Sequence, residues 1–370
     1  MKIVIAPDSF KESMSAYEAC LSIQAGIQQW DNNIQTYLCP LADGGEGTLE
    51  TLVQAMQGQI EYFTVHGPFM KQMKAPIGFV GNIAIIECAK VCGLELLTEE
   101  QKNPYQTSTY GLGELIKHAL KRNVQQIMIC LGGSATNDGG IGMLQALNVH
   151  FFDGNHHDVS PTMKGLFDIH DIDVSNMQQF HDVSIIGVCD VNNPLCGQSG
   201  ATYIYGPQKG VKAHEREKID QAMENYALKV DSLFGHDYRN EAGAGAAGGL
   251  GYALKAFCHA TLKHGFDIVS ETIDLETKIK NCDIVIVGEG KIDRQTQYGK
   301  TPYGVLKIAQ KYHKNVYAFA GKVEDYEILK DLGFTNIYQI SSNDMELSMA
   351  LKMGKENLKN CVYQHMEEIK

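Results

Sequence analysis

Short runs of β-branched residues at both ends of this chain, each followed by an acidic or glycine-rich turn and then a helical stretch, constrain its fold more than any other feature. Near the start, Ile3-Val4-Ile5 ends at Pro7-Asp8, and Ile34 to Leu38 leads into the turn Gly44-Gly45-Glu46-Gly47. Near the end, Ile284-Val285-Ile286-Val287 runs into Gly288-Glu289-Gly290, and further runs follow at Val316 to Phe319 and around Ile337. Runs apolar on both faces suit strands buried on both faces of a parallel sheet. Between them, Ser15 and Glu18 make a capping box ahead of a helical face of Ala19, Ile23 and Ile27. Leu49, Leu52, Val53 and Met56 mark a second helix, and helices from Tyr303 and at the C-terminus continue the alternation. Five strands alternating with helices suffice for one doubly wound, mostly parallel, flavodoxin-like domain built from residues 1–58 and 281–370.

The intervening residues 59–280 are expected to form a second α/β domain inserted into the first. From Ile60 to Cys88, short alternating strands are separated by Gly67-Pro68 and Gly81-Asn82, which predicts antiparallel pairing. Beyond Thr107 the pattern returns to a helix over Leu112 to Lys121, a strand at Ile127 to Leu131, a helix after Gly140 and a strand at Ile185 to Cys189. The length of 370 residues fits two domains. Ligands are expected in the cleft between them; the competing arrangement is two consecutive domains split near residue 150.

A formal net charge of −12 argues against nucleic acid or anionic membrane as the main partner, and nothing implies a protein partner. No apolar run approaches the roughly 18 residues of a membrane span, and Pro7-Asp8 interrupts the N-terminal run before a signal-peptide core is complete, so a cytoplasmic protein is expected. The ten cysteines lie mostly within apolar patterns, without a C-x-x-C, and read as small core residues of a reducing compartment.

Familiar nucleotide signatures fail. Gly299-Lys300-Thr301 has the ending of a Walker A loop, but Arg294 stands where its first glycine belongs. Gly243, Gly245 and Gly248 satisfy G-x-G-x-x-G without an apolar strand before them, so a dinucleotide site is disfavoured. That segment reads either as a glycine turn offering N–H groups to an anion or as tight helix packing. There is no G-x-S-x-G elbow, and His156-His157 lie in a polar loop.

Other turns carry more chemistry. Gly132 to Gly140 follows the strand at Ile127 to Leu131 and presents Ser134, Thr136, Asn137 and Asp138, more polar groups than a tight turn requires. Asp8, Ser9 and Lys11 follow the first strand, Asp43 and Glu46 the second, and Glu289 and Asp293 the Ile284 to Val287 run. Acidic residues at successive ends of one parallel sheet converge where such sheets bind ligands. Asp190 ends the Ile185 to Cys189 strand and is placed to meet a hydroxyl or a magnesium ion.

Long ordered stretches of the chain resemble the bacterial type 1 glycerate kinases. They are Ala6 to Lys11, Pro40 to Thr48, Leu131 to Met143, Asp190 to Gly197, Gly206-Pro207-Gln208-Lys209-Gly210, Gly243 to Gly251 and Gly288 to Pro302. The resemblance implies ATP-dependent phosphorylation of D-glycerate with Mg²⁺ by a two-domain α/β kinase, at the 2-hydroxyl to give 2-phosphoglycerate and ADP. A kinase giving 3-phosphoglycerate or acting on a related hydroxy acid, a nicotinamide-dependent dehydrogenase and a non-catalytic metabolite sensor are the alternatives. Three positions depart from the family pattern: Glu12 stands where glycine is usual, Lys291 replaces a common arginine, and Ser341 to Glu346 lacks a glycine-proline turn.

Phosphoryl transfer needs charge neutralisation, positioning and an acceptor for the substrate proton. On this reading Asp190 is the general base or orients the hydroxyl, and Asp190, Asp293 and Lys11 form the catalytic set. Asp8, Ser9, Asp43, Glu289 and Lys300 bind substrate, with Asp43 and Asp293 as metal ligands and Lys11 or Lys300 neutralising phosphate or carboxylate. Gly132, Gly133, Ser134, Asn137, Asp138, Gly243 and Gly245 are expected to cradle the ATP phosphates.

Overall fold

The computed structural model describes residues 1–42, 44–180, 182–298 and 300–369. The chain divides into two compact units, one of Met1–Asp43, Glu50–Gln57 and Phe266–Lys370, the other of Gly44–Leu49 and Gly58–Gly265. The strands are β1 (Lys2–Ile5), β2 (Gln35–Leu38), β3 (Gln59–His66), β4 (Gln72–Val80), β5 (Ile83–Glu87), β6 (Gln126–Cys130), β7 (His150–Phe152), β8 (Asp171–Asp173), β9 (Ser184–Val188), β10 (Thr261–Lys263), β11 (Ile284–Ile292), β12 (Asn315–Val323) and β13 (Asn336–Gln339).

In the first unit the sheet order is β13-β12-β11-β1-β2, and every neighbouring pair is parallel. Counted in order of appearance within the unit, this is 2-1-3-4-5, the flavodoxin-like winding, whose crossovers change direction between β1 and β11. The burial follows from the position in the sheet. Ile3, Val4 and Ile5 of central β1 are buried, as are Ile284 to Gly288 of β11, whereas edge strand β2 is half-exposed. The capping box forms as expected: the Ser15 hydroxyl accepts the Glu18 N–H at 3.2 Å and the Glu18 carboxylate accepts the Ser15 N–H at 3.0 Å. The helix it starts, Ala16–Trp30, turns Ile23 and Ile27 into the core, where complete burial stabilises by about 1.5–3 kcal/mol per side chain. That helix packs on the C-terminal helix Gly354–Ile369, and at Gly26 any side chain would collide with the Lys359 carbonyl.

Two boundaries differ from the sequence reading. Strand β11 does not stop at Val287 but stays paired with β12 through Ile292, so Gly288-Glu289-Gly290 is extended strand rather than turn. The helices Gly265–Thr272 and Leu275–Lys280 precede residue 281, yet Phe266 onward clusters with the first unit. The cause is packing: the Phe266 ring lies against Gly304, Leu275 and Ile279 are buried, and Glu276 accepts from Lys311 at 2.5 Å and Tyr312 at 2.7 Å.

The second unit is built on a sheet of order β10-β9-β6-β5-β4-β3, parallel from β10 to β5 and antiparallel from β5 to β3. The expected hairpin is present: Gly81-Asn82 joins β4 to β5 with Gly81 at a φ of 56°. Ile77, Ile86, Ile127, Ile129, Phe151 and Tyr226 form the core. The long helix Arg216–Phe234 and the β7–β8 hairpin complete the unit. Among the described residues no helix is long and apolar enough to cross a membrane.

Candidate active site

In the first unit the charged candidates gather beyond the paired ends of β1 and β11. The β1–β11 ladder ends at Ile5 and Ile286, but the chain stays beside β11: the Ala6 N–H donates to the Ile286 carbonyl and the Asp8 N–H to the Gly288 carbonyl, each at 2.8 Å. Gly288 leaves room for this segment, since a side chain there would press on the Phe319 carbonyl and the Phe10 ring. Asp8 is fixed at both oxygens: Oδ1 accepts the Ser9 N–H at 2.6 Å, and Oδ2 accepts the Thr301 hydroxyl at 2.6 Å. Thr301 is the first residue of the helix Thr301–Lys311. Lys11 is exposed on the same turn.

Glu289 is the unusual member. Its side chain is 19% exposed, Oε1 accepts from Lys300 Nζ at 3.1 Å, and Oε2 is buried without a hydrogen-bond partner. Burial pushes its carboxyl up to about 7; Lys300 opposes that shift, and the negative charges of Asp8 and Asp293 reinforce it. Asp293, buried, accepts the Gln295 N–H at Oδ1 (2.9 Å) and faces Lys291 Nζ at Oδ2 (3.4 Å). Lys291 bridges onward to Glu324 at 2.8 Å. The structure therefore assembles Asp8, Ser9, Glu289, Asp293 and Lys300, and adds Thr301, which the sequence reading had only as part of a failed Walker ending. Asp43 lies outside the described residues.

In the second unit the glycine turn after β6 behaves differently. Gly132 is half-buried and Gly133 exposed, but Ser134, Asn137 and Asp138 point inward. Asp138 is 0% exposed: Oδ2 accepts the Thr109 N–H (3.0 Å) and hydroxyl (2.8 Å), and Oδ1 accepts the Gly140 N–H (3.1 Å). Burial raises its carboxyl, and these bonds oppose the shift. Asn137 donates to the Thr202 hydroxyl at 3.0 Å, and Ser134 accepts from Lys209. Ser134 and Asp138 bond within the protein and hold the turn from inside, as does the Asn137 amide nitrogen, while Asn137 Oδ1 is buried without a hydrogen-bond partner. Gly243 and Gly245 are also buried. The Gly245 N–H donates to the Asn193 carbonyl at 3.0 Å, and side chains at Gly245 and Gly248 would strike the backbone of Pro194 and Thr136. Close packing accounts for these glycines, and no strand precedes them, so the dinucleotide fingerprint lacks its context.

Asp190 stands at the end of β9, 41% exposed. Its Oδ1 accepts the Gly265 N–H at 2.8 Å and lies 3.4 Å from His264 Nδ1. It is far less desolvated than Glu289, and one oxygen is engaged in holding the chain at Gly265. The residue the sequence reading passed over in this unit is Lys209, quoted there only within a motif. It is 2% exposed, and a single lysine between glycines 206 and 210 carries no signal that it folds inward.

The chain matches the glycerate kinase family over residues 3–370. It is 42% identical to a glycerate kinase of Haemophilus influenzae over 362 residues, covering 97% of this chain and 96% of that one. It is 40% identical to a glycerate 2-kinase of Escherichia coli over 362 residues, covering 97% and 95%. A crystal structure from Salmonella typhimurium LT2, assigned as a glycerate kinase 2, superposes with a TM-score of 0.91 at 40% identity, covering 100% of this chain and 98% of that one. The flavodoxin-like sheet, the carboxylates at the end of the β1–β11 ladder and this end-to-end likeness lead to one conclusion: the chain belongs to the glycerate kinase family.

Proposed function

We propose that this protein transfers the γ-phosphoryl group of ATP to the 2-hydroxyl of D-glycerate, with Glu289 accepting the hydroxyl proton. Family membership supports the ATP-dependent phosphorylation of glycerate, and the name of the Escherichia coli relative supports the 2-hydroxyl. The observation that carries the residue assignment is the desolvated Glu289, with one oxygen on Lys300 and the other buried and unspent. A proton acceptor works best when its pKa lies near the working pH, and about 7 meets that condition. Asp190, exposed and engaged with Gly265, takes a supporting role instead of the base role.

Lys300 and Lys11 supply positive charge for the substrate carboxylate and the transferring phosphoryl group, and Asp8 with Thr301 orients the turn that carries Lys11. Gly133 is exposed and Gly132 half-buried beside Gly45, the least buried members of the β6 turn, so their backbone is proposed to meet the nucleotide phosphates. Among the described residues no group of three or more His, Cys, Asp or Glu side chains is gathered to hold a metal ion. Mg²⁺ is commonly held by one or two carboxylates together with substrate phosphates, and Asp293 is the described residue with hard oxygens proposed to hold it. When bound, Mg²⁺ neutralises phosphate charge. The ten cysteines are all free, which supports a cytoplasmic setting.

The test is ³¹P and ¹H NMR of the product formed from ATP, Mg²⁺ and D-glycerate. 2-Phosphoglycerate is expected. 3-Phosphoglycerate would overturn the regiochemistry, and turnover only with another hydroxy acid would overturn the substrate.

A further inference from the structure

Lys209 closes the three-residue turn Pro207–Lys209 in the second unit and buries its whole side chain. Its Nζ donates to the Ser134 hydroxyl at 2.9 Å and to the Thr136 carbonyl at 2.7 Å, both in the glycine turn after β6. Neither partner is a carboxylate, and an ammonium has three donors. The acid whose charge acts on it, Asp138, spends its oxygens on Thr109 and Gly140. A buried cation without a charged partner is costly, and a methionine of similar length fills such a space without that cost. The same turn holds two more buried polar atoms without a hydrogen-bond partner, Thr136 Oγ1 and Asn137 Oδ1. Stability therefore gives no reason for a lysine here, whereas a fixed positive charge directly under a turn whose least buried members are Gly132 and Gly133 gives one.

We propose that Lys209 is a positioning residue for phosphoryl transfer: it holds the Ser134–Thr136 segment in place and lends its charge to the Gly132–Gly133 backbone as a surface for the polyphosphate of a nucleotide. This rests on the assignment of that turn to nucleotide phosphates. The ammonium is held from within the protein and does not touch the ligand. A charge that acts this way is lost on titration, and burial pulls the Lys209 ammonium down to about 8, opposed by Cys92, Asp138 and Cys88. Those are the titratable groups that face it. The Cys88 thiol is itself pushed well above its ordinary value by its hydrogen bond with Cys92 and by burial, and burial raises the Asp138 carboxyl.

The experiment is calorimetric binding of ATP alone from pH 6.5 to 9.5, on the full chain and on Lys209→Met and Lys209→Arg, together with KM for ATP and for D-glycerate. Wild-type affinity for ATP is expected to fall as pH rises through about 8. Lys209→Met is expected to stay folded, to bind ATP about tenfold more weakly at pH 7, as withdrawal of one positive charge near the polyphosphate implies, and to leave KM for D-glycerate unchanged. Lys209→Arg, which does not titrate here, is expected to recover affinity at pH 7 and to remove the fall above pH 8. Unchanged ATP binding in Lys209→Met, or a fall above pH 8 that persists in Lys209→Arg, would overturn the proposal, and the second result decides the matter if Lys209→Met does not fold. Binding is read without turnover, so a protein that binds ATP in this pattern yet ignores D-glycerate would refute the proposed reaction and leave the role of Lys209 standing.

Discussion

The two units place similar residues at strand ends and use them in opposite ways. Where the β1–β11 ladder ends, carboxylates and lysines crowd together with part of their capacity unspent: Glu289 keeps one oxygen buried and unbonded beside Lys300. After β6, the polar side chains of an equally suggestive turn face inward, and Asp138 serves as a clamp for the backbone of Thr109 and Gly140. On the proposed reaction, the comparison separates residues that act on a ligand from residues that shape the surface a ligand meets. A polar residue in a glycine turn identifies the turn as special without saying which of the two it is.

The largest expected effect comes from Glu289→Gln, which keeps shape and removes the proton acceptor. Its kcat is expected to fall by about 10²–10⁴-fold with circular dichroism unchanged. Asp190→Asn is expected to lose about tenfold or less, and a reversal of that order in steady-state kinetics would hand the base role back to Asp190.

Asp138→Ala marks the other side of the comparison. Losing its bonds leaves buried N–H donors without partners, so urea unfolding is expected to show about 3 kcal/mol of destabilisation. A variant that is as stable as wild type but inactive would make Asp138 a ligand-binding residue after all.

The pH dependence follows from the sign of the Glu289 shift. A carboxyl raised from 4.5 to about 7 is protonated and inactive as a base below that value, so kcat/KM for D-glycerate is expected to rise through about pH 7. The same shift means the folded protein holds a proton that the unfolded chain releases above 4.5. Glu289 therefore withdraws stability as pH rises from about 4.5 to about 7, and its full cost is present above that. A flat kcat/KM profile between pH 6 and 8 would contradict the assignment.

The smallest effect belongs to Glu12, whose φ of 62° places a side chain in the left-handed region. The family resemblance marks this as a glycine position, and the backbone has kept the glycine conformation. Glu12→Gly is expected to raise stability by up to about 1 kcal/mol, the relieved strain being partly offset by a freer unfolded chain, with kcat unchanged. A lower melting temperature would show that Glu12 makes a compensating contact.

The sheet of the first unit was legible because buried parallel strands write themselves as continuous runs such as Ile284 to Val287, and because Ser15 and Glu18 announce a helix start. The end of β11 was not: Gly288 and Gly290 read as a turn, while both lie in a continuing strand, and Gly288 lets the Phe10 ring lie close against it. That Asp8, Glu289, Asp293 and Lys300 lie together was legible because charge at a strand end is visible in sequence. Their ranking was not, since desolvation decides it and depends on side chains distant in the chain. The sequence also did not show that Asn137, Asp138 and Lys209 are buried, because an inward-facing polar side chain spells the same as an outward-facing one. The glycines at 243–249 look the same whether the backbone they approach belongs to a ligand or, as at Pro194 and Thr136, to the protein.

The most direct measurement is coupled ADP release from ATP, Mg²⁺ and D-glycerate by wild type and Glu289→Gln side by side, with L-glycerate and glycolate as controls. The account expects turnover of D-glycerate by wild type and its near loss in the variant. Equal turnover in both, or none by a folded wild-type protein, would contradict it.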